Sequence, residues 1–283
     1  MNETTKKLLK IVSDWTGEFT GAYNIREDGG CAGRRSSEHI LIESKKDKPG
    51  LDIRILPGTK GETVSIPACV THGDVDDLVY NDFFVGENAD VLIVAGCGVH
   101  TENGEPARHN GIHRFFLAEG SRVKYEEKHI GTGNGAGLRS IDPVTEVFLG
   151  KNAFMEMDTS QIGGVDQTVR ETSATLDEGA RLVIRERLLT EKEQTAETKF
   201  KVDLNGKDSG VDIVSRSVAR GNSRQNYISS IVGNAPCTGH SECDAIIDGD
   251  AFVDASPQLC AHHNDAALIH EAAKKVPIMW AAN

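Results

Sequence analysis

Five ten-residue segments of this 283-residue chain align without gaps. They are VGENADVLIV from Val85, LAEGSRVKYE from Leu117, LGKNAFMEMD from Leu149, LDEGARLVIR from Leu176 and IDGDAFVDAS from Ile247. A looser copy, NGKDSGVDIV, starts at Asn205, and its leading apolar residue, Leu204, comes one position early. Each copy has an apolar start, a turn-forming Asn, Gly or Asp, and then a small residue. The small residues are Ala89, Ser121, Ala153, Ala180, Ser209 and Ala251. Asn88, Gly120, Asn152 and Gly179 are of the types that tolerate positive φ. After each turn, apolar residues alternate as a half-buried strand requires: Val91 and Ile93, Val123 and Tyr125, Leu182 and Ile184. Before it lie the strand-like runs DFFV, RFFL and EVFL. A unit of strand, tight turn and strand, repeated about every 30 residues, buries its apolar face only against its neighbours, which is the signature of a solenoid. The expectation is an all-β chain, a right-handed parallel β-helix over residues 35–272, with a β-sandwich of recurring turns as the rival.

The rest of the chain fits around that repeat. Leu8, Ile11, Val12 and Trp15 recur at helical spacing, so residues 3–17 are expected to form a short helix ending near Gly17, within a lead-in of residues 1–34. This N-terminus is charged and amphipathic, with no apolar signal region, and the longest apolar run, VLIVAGCGV, is too short for a membrane span. A cytoplasmic protein is expected. Lys and Arg number 31 against 43 Asp and Glu, and this net negative charge argues against nucleic acid or an anionic membrane as partner.

Several motifs invite a chemical reading. GTGNGAG at 131–137 lacks the helix that a phosphate loop needs directly after it, so it reads as a solenoid loop. The pairs His109/His113 and Cys97/His100 read as satisfied core groups, because a glycine and a strand interrupt any helical face. Six cysteines without a CxxC pair exclude a ribbon or ferredoxin motif and fit free thiols or metal ligands. The C-terminal third is denser: Cys237, His240 and Cys243, then Cys260, His262, His263, His270 and Glu271. Thiolates with imidazoles suit iron, zinc or copper. The plainer reading is small cysteines packed in tight turns.

GHSECDAIIDG at Gly239 and LIHEAA at Leu268, with GAYNIREDGG, VYNDFFVGENADVLIVAGCGVH, HNGIHRFFLAEG and ETSATLDEGARLVI, resemble the SufB/SufD family of iron–sulfur cluster assembly scaffolds. The resemblance runs from about residue 5 to residue 273 and implies the parallel β-helix that the repeat indicates independently. It implies a scaffold and not an enzyme: a transient iron–sulfur cluster built with a SufC-like ABC ATPase, sulfur from a cysteine desulfurase or carrier, and delivery to apo-proteins. On this resemblance Cys243 falls on a proposed cluster or sulfur-receiving position in a turn, His270 and Glu271 on auxiliary ligands, with Cys260, Cys97 and Cys237 second in rank. All three groups in one chain would suit a homodimer. The family's C-terminal helical domain, which docks the ATPase, has no counterpart in the tail 273–283, where Pro277 would break a helix. If His270 and Glu271 share one strand, they point to opposite faces. Two other classes compete: a partner-binding solenoid with inert cysteines, and a β-helical polysaccharide-active enzyme, which six cysteines and the absent signal region disfavour.

Overall fold

The turns build the architecture. In Gly86–Ala89, Ala118–Ser121, Gly150–Ala153 and Asp177–Ala180 the last amide donates to the first carbonyl over 3.0–3.2 Å. The third residue of each, Asn88, Gly120, Asn152 or Gly179, has φ between +55° and +67°. The small residue that follows is at most 1 % exposed in every case. Each turn also donates to the next, as Asn88 N does to Glu119 O at 3.0 Å and Asn152 N to Glu178 O at 2.8 Å. Turn therefore stacks on turn, and a side chain larger than Cys at the small position would push the coils apart.

The result, seen in a computed structural model that describes residues 1–275, is a parallel β-solenoid of about eight turns. Every coil gives one strand to each of two sheets. The first sheet stacks Asp90–His100, Arg122–Thr132, Phe154–Gln161, Arg181–Thr190, Ser209–Gly221, Cys237–Gly249 and Ala266–Lys275. The second stacks Val75–Val85, Ala107–Leu117, Val144–Leu149, Gln167–Leu176, Thr195–Leu204, Arg224–Gly233 and Phe252–Ala261. Alternation then sorts side chains. In the second sheet Ile53, Phe83, Phe115, Val147, Ala174 and Val202 form one inward row, with Phe83 and Phe115 stacked at 4.5 Å. Each fully buried Ile, Phe or Val in such a row contributes roughly 1.5–3 kcal/mol.

The N-terminal end is closed. Antiparallel hairpins, Ala22–Glu27 with Gly30–Arg35 and Ile40–Ser44 with Gly50–Ile55, begin the two sheets. Helix Glu3–Val12 lies against the outside of the first sheet, so close that a Cβ on Gly96 would sit 2.3 Å from Val12 O. The helix is shorter than its apolar spacing implies. Asn2 caps its start, the Ser13 hydroxyl donates to Leu9 O, and Asp14 turns at φ +50°, ending it before Gly17. Among the described residues, Ala266–Lys275 pairs with Cys237–Gly249 alone and Phe252–Ala261 with Arg224–Gly233 alone.

Two expectations change. The segment IDGDAFVDAS is no copy of the repeat, because its turn joins the first sheet to the second, at the opposite corner of the coil. Two tight corners per coil look alike in composition. The residue in register with Ser209 is Cys237, which fills the small-residue slot at 5 % exposure. The glycine-rich run at 131–137 does serve as a solenoid loop: Gly135 N and Gly137 N donate to Thr101 O and Asn103 O at 3.0 Å. A Cβ on Gly137 would meet Glu105 O at 1.9 Å. The expected bounds 35 and 272 fall within continuous ladders, which run from Ala22 to Lys275. Of the expected tail 273–283, residues 273–275 complete the strand Ala266–Lys275, and Pro277 lies outside the described residues.

Candidate functional site at the last described coil

Cys243 lies in the middle of the strand Cys237–Gly249, not in a turn. That strand alternates strictly, so Gly239, Ser241 and Cys243 face inward and His240, Glu242 and Asp244 face out. Cys243 is 5 % exposed and belongs to the main core. Burial, with the Glu186 carboxylate nearby, pushes its thiol up to about 12. The inward row it occupies reads Ala95, Glu127, Thr159, Glu186, Ser215, Cys243, Ala272. An iron–sulfur species binding here must draw the proton off a thiol that otherwise keeps it.

The final strand splits the expected ligands. His270 pairs with Ser241 and faces inward, one step diagonally from Cys243 on the same surface. Among the described residues neither ring nitrogen makes a hydrogen bond of normal geometry, and burial lowers its pKa against the opposing pull of the Ser241 backbone. A neutral imidazole with a free lone pair on one nitrogen is a competent metal ligand. Glu271 pairs with Glu242 and faces out. There it joins a different group, His240, Glu242 and Glu271, whose ligand atoms lie within 4.8 Å of one another. His240 Nδ1 donates to Asp212 Oδ1 at 2.7 Å, which leaves Nε2 free. A carboxylate fixing the tautomer from behind is the usual support of a metal-binding histidine. The nitrogen and oxygen donors of this outer group suit a divalent ion of the iron or zinc kind. The two faces of one strand pair thus offer different chemistry: sulfur and imidazole inside, imidazole and carboxylates outside.

Cys260 is not brought to either face. It stands exposed on the outer surface of the second sheet, beside His262. Cys97 is buried far upstream, under the helix side of the first sheet, and Cys237 is a turn filler.

The interior also holds polar residues that sequence reasoning passed over. Asn81 donates to His113 Nε2 at 3.3 Å, His113 Nδ1 to Tyr125 Oη at 3.0 Å, and Tyr125 to Glu127 at 2.9 Å. Arg170 donates to Glu127 at 2.6 Å and to His129 Nδ1 at 3.1 Å, and reaches Glu186 at 3.5 Å. Glu186 accepts from Ser215 at 2.6 Å, next in register to Cys243. Burial opposes ionisation of Glu127, but His129 and Arg170 outweigh it and hold the carboxyl well below the usual range. Burial takes His113 down to about 4, so it stays neutral. At the upstream end, Asp77 bridges Arg26 and His109 at 2.6 and 3.0 Å. The histidines His109 and His113 are thus satisfied core groups, as their spacing implies. Cys97, Glu127 and His129 also bring ligand atoms within 4.8 Å, yet Arg170 already neutralises that group. The signal for this network was present: Val123, Tyr125, Glu127 and His129 continue one inward alternation, so a charged residue there must be buried and paired.

The fold that carries these groups is a parallel β-solenoid, with a thiol and an imidazole on the inner face of its last described strand pair and carboxylates on the reverse. The chain belongs to the SufBD family, since residues 80–275 match the model described as SUF system FeS cluster assembly, SufBD core domain. Among curated relatives, the "Iron-sulfur cluster assembly SufBD family protein" of Methanothermobacter thermautotrophicus is 27 % identical over 240 residues, covering 82 % of this chain and 57 % of its own. A protein of the same description from Archaeoglobus fulgidus is 24 % identical over 239 residues, covering 83 % of this chain and 63 % of its own. One from Pyrococcus horikoshii is 30 % identical over 166 residues, 58 % of this chain and 50 % of its own. The chain thus spans about three-fifths of the length of the first two relatives.

Proposed function

We propose that this chain works in iron–sulfur cluster assembly as a scaffold and not as an enzyme. It holds a nascent cluster on Cys243 and His270 and releases it to apo-proteins. The observation that carries the reading is His270: a half-buried imidazole without a hydrogen-bond partner of normal geometry among the described residues, diagonal to a cysteine on the last described strand of a SufBD-family solenoid. One thiolate and one imidazole leave a cluster incompletely ligated, which favours transfer over storage. The outer group of His240, Glu242 and Glu271 takes up ferrous iron before it meets sulfide. A second copy of the chain covers the strands Phe252–Ala261 and Ala266–Lys275 and supplies the missing ligands, giving a homodimer. A SufC-like ABC ATPase, and a cysteine desulfurase or sulfur carrier, complete the assembly in the cytoplasm. Among the described residues no helix is long and apolar enough to cross a membrane.

A rival reading has support of its own. A thiol 5 % exposed and pushed up to about 12 is what an inert core cysteine looks like. The test is transfer. Reconstituted protein is mixed anaerobically with an apo-ferredoxin, and the ferredoxin is re-isolated and assayed for cluster. The scaffold reading expects a holo-ferredoxin from the parent and none from His270→Ala. Equal transfer from both, or from neither, contradicts it.

A further inference from the structure

The two N-terminal hairpins do not fill the end of the solenoid. Between them and the first coils lies a cavity of about 250 Å³, below the size of the pockets that take cofactors. Its wall holds four cations, Arg26, Arg34, Lys45 and Lys48, and no carboxylate. Two of the four are spent: Arg26 pairs with Asp77, and Lys45 with Asp52 and Asp82. Arg34 and Lys48 meet no carboxylate among the described residues, yet both are held. Arg34 Nε donates to Asn24 Oδ1 and Nη1 to Ser44 Oγ, each at 2.8 Å, and the Lys48 ammonium lies 4.4 Å from the centre of the Tyr80 ring. These partners are neutral, so they position the charge without cancelling it. Nη2 of Arg34 is left over. Arginine only donates, so the Asn24 atom facing it is the oxygen and Nδ2 is a second spare donor. Asn24 is 5 % exposed and lines the cavity, and among the described residues its Nδ2 donates to no protein group. Asn81, in the wall of the same cavity and also 5 % exposed, has a buried Oδ1 that no donor reaches.

We propose that this cavity is a binding site for a phosphate group, free or on a small ester. A guanidinium and an ammonium with no counter-charge call for an anion, and the planar fork of arginine matches two oxygens of a phosphate. Asn24 Nδ2 donates to a third oxygen. The unmet acceptor Asn81 Oδ1 selects among anions, because it takes a hydroxyl that the ligand must supply. Hydrogen phosphate carries one, as does a phosphomonoester of an alcohol such as glycerol, whereas sulfate carries none. The site shares no residue with the strands Cys237–Gly249 and Ala266–Lys275, so it stands apart from the cluster reading. It comes with its own reporter. Cys31 lines the cavity, is exposed, and faces the same Asn24 Oδ1 at 3.5 Å, so a bound anion covers its thiol.

The test titrates the full chain by calorimetry with inorganic phosphate, glycerol 3-phosphate and sulfate. One site per chain should bind phosphate or the ester, and sulfate should bind at least roughly tenfold more weakly. Whichever of the first two binds tighter identifies the source of the group. Arg34→Gln and Lys48→Gln should each weaken binding by about tenfold, and Arg34→Lys by less, because it keeps the charge and loses the fork. Lys48 makes no hydrogen bond to the protein among the described residues, so its variant keeps the test sound if Arg34→Gln fails to fold. Saturating ligand should slow iodoacetamide alkylation of Cys31, followed by mass spectrometry, and leave that of Cys260 unchanged. No saturable binding by the parent, equal affinity for sulfate, unchanged affinity in Lys48→Gln, or binding that leaves Cys31 unprotected would each overturn the proposal. Cys243→Ala should bind as the parent does, so this proposal and the cluster reading fail separately.

Discussion

Cysteine, histidine and glutamate come together in the middle coils of this molecule and are split apart in the last described coil. In the middle coils Cys97, Glu127 and His129 are buried beside Arg170, and the polar groups around them are knitted together by hydrogen bonds. In the last described coil Cys243 and His270 face inward and Glu271 faces outward, and among the described residues the imidazole makes no hydrogen bond of normal geometry. Residue type is the same in both places. What differs is whether chemistry is left over once the fold has satisfied its own groups. A paired buried carboxylate is structure, whereas an imidazole left without a hydrogen bond is available for a ligand.

The comparison breaks first if the middle coils tolerate loss of a charge. Arg170→Ala strands Glu127 and Glu186, at 1 % and 4 % exposure, without their cation. It should cost about 3–5 kcal/mol, read as a fall in the urea midpoint. Acid should act in the same place. Unfolded histidine takes its proton near pH 6.5, but folded His113 holds out to about 4. The unfolded state therefore binds more protons across that interval, and stability falls as pH drops from about 6.5 to about 4, by about 3 kcal/mol. His129, also lowered by burial, adds in the same direction. Urea midpoints from pH 7 to pH 4.5 check this, and His113→Gln should flatten the curve. Next in size is a turn. Asn152→Ala keeps a residue at φ +56° that no longer suits it, and should cost about 1 kcal/mol, while Asn152→Gly should be nearly neutral. Smallest is Glu271→Gln at the last described coil, which should shift thermal stability by less than about 0.5 kcal/mol. The same change should weaken ferrous-iron binding measured by calorimetry.

Much of this was legible in the sequence. The turn chemistry at Asn88, Gly120, Asn152 and Gly179 announced a solenoid, because only a repeated backbone conformation explains the same residue types in the same frame. The opposite facing of His270 and Glu271 followed from strand parity. Composition could not separate the two corners of a coil, which is why IDGDAFVDAS resembled a copy while Cys237 held the true position. Nor does a sequence state which strand lies beside which. His240, Glu242 and Glu271 are neighbours only through the pairing of two strands 29 residues apart in register, and the Arg170–Glu127 pair spans 43 positions. The family resemblance implied a turn at Cys243; the Gly249 bend comes six residues later, after the strand has carried the thiol into the core.

The central claim is that the last described coil, and not the closed interior, carries the cluster. Anaerobic reconstitution with ferrous iron and sulfide tests it most directly, with visible absorbance, bound iron and acid-labile sulfide measured per chain in the parent, Cys243→Ala and Cys97→Ala. The account predicts a brown, sulfide-containing parent, an equally loaded Cys97→Ala and a pale Cys243→Ala. A Cys243→Ala protein that loads as fully as the parent, while Cys97→Ala stays pale, would contradict it.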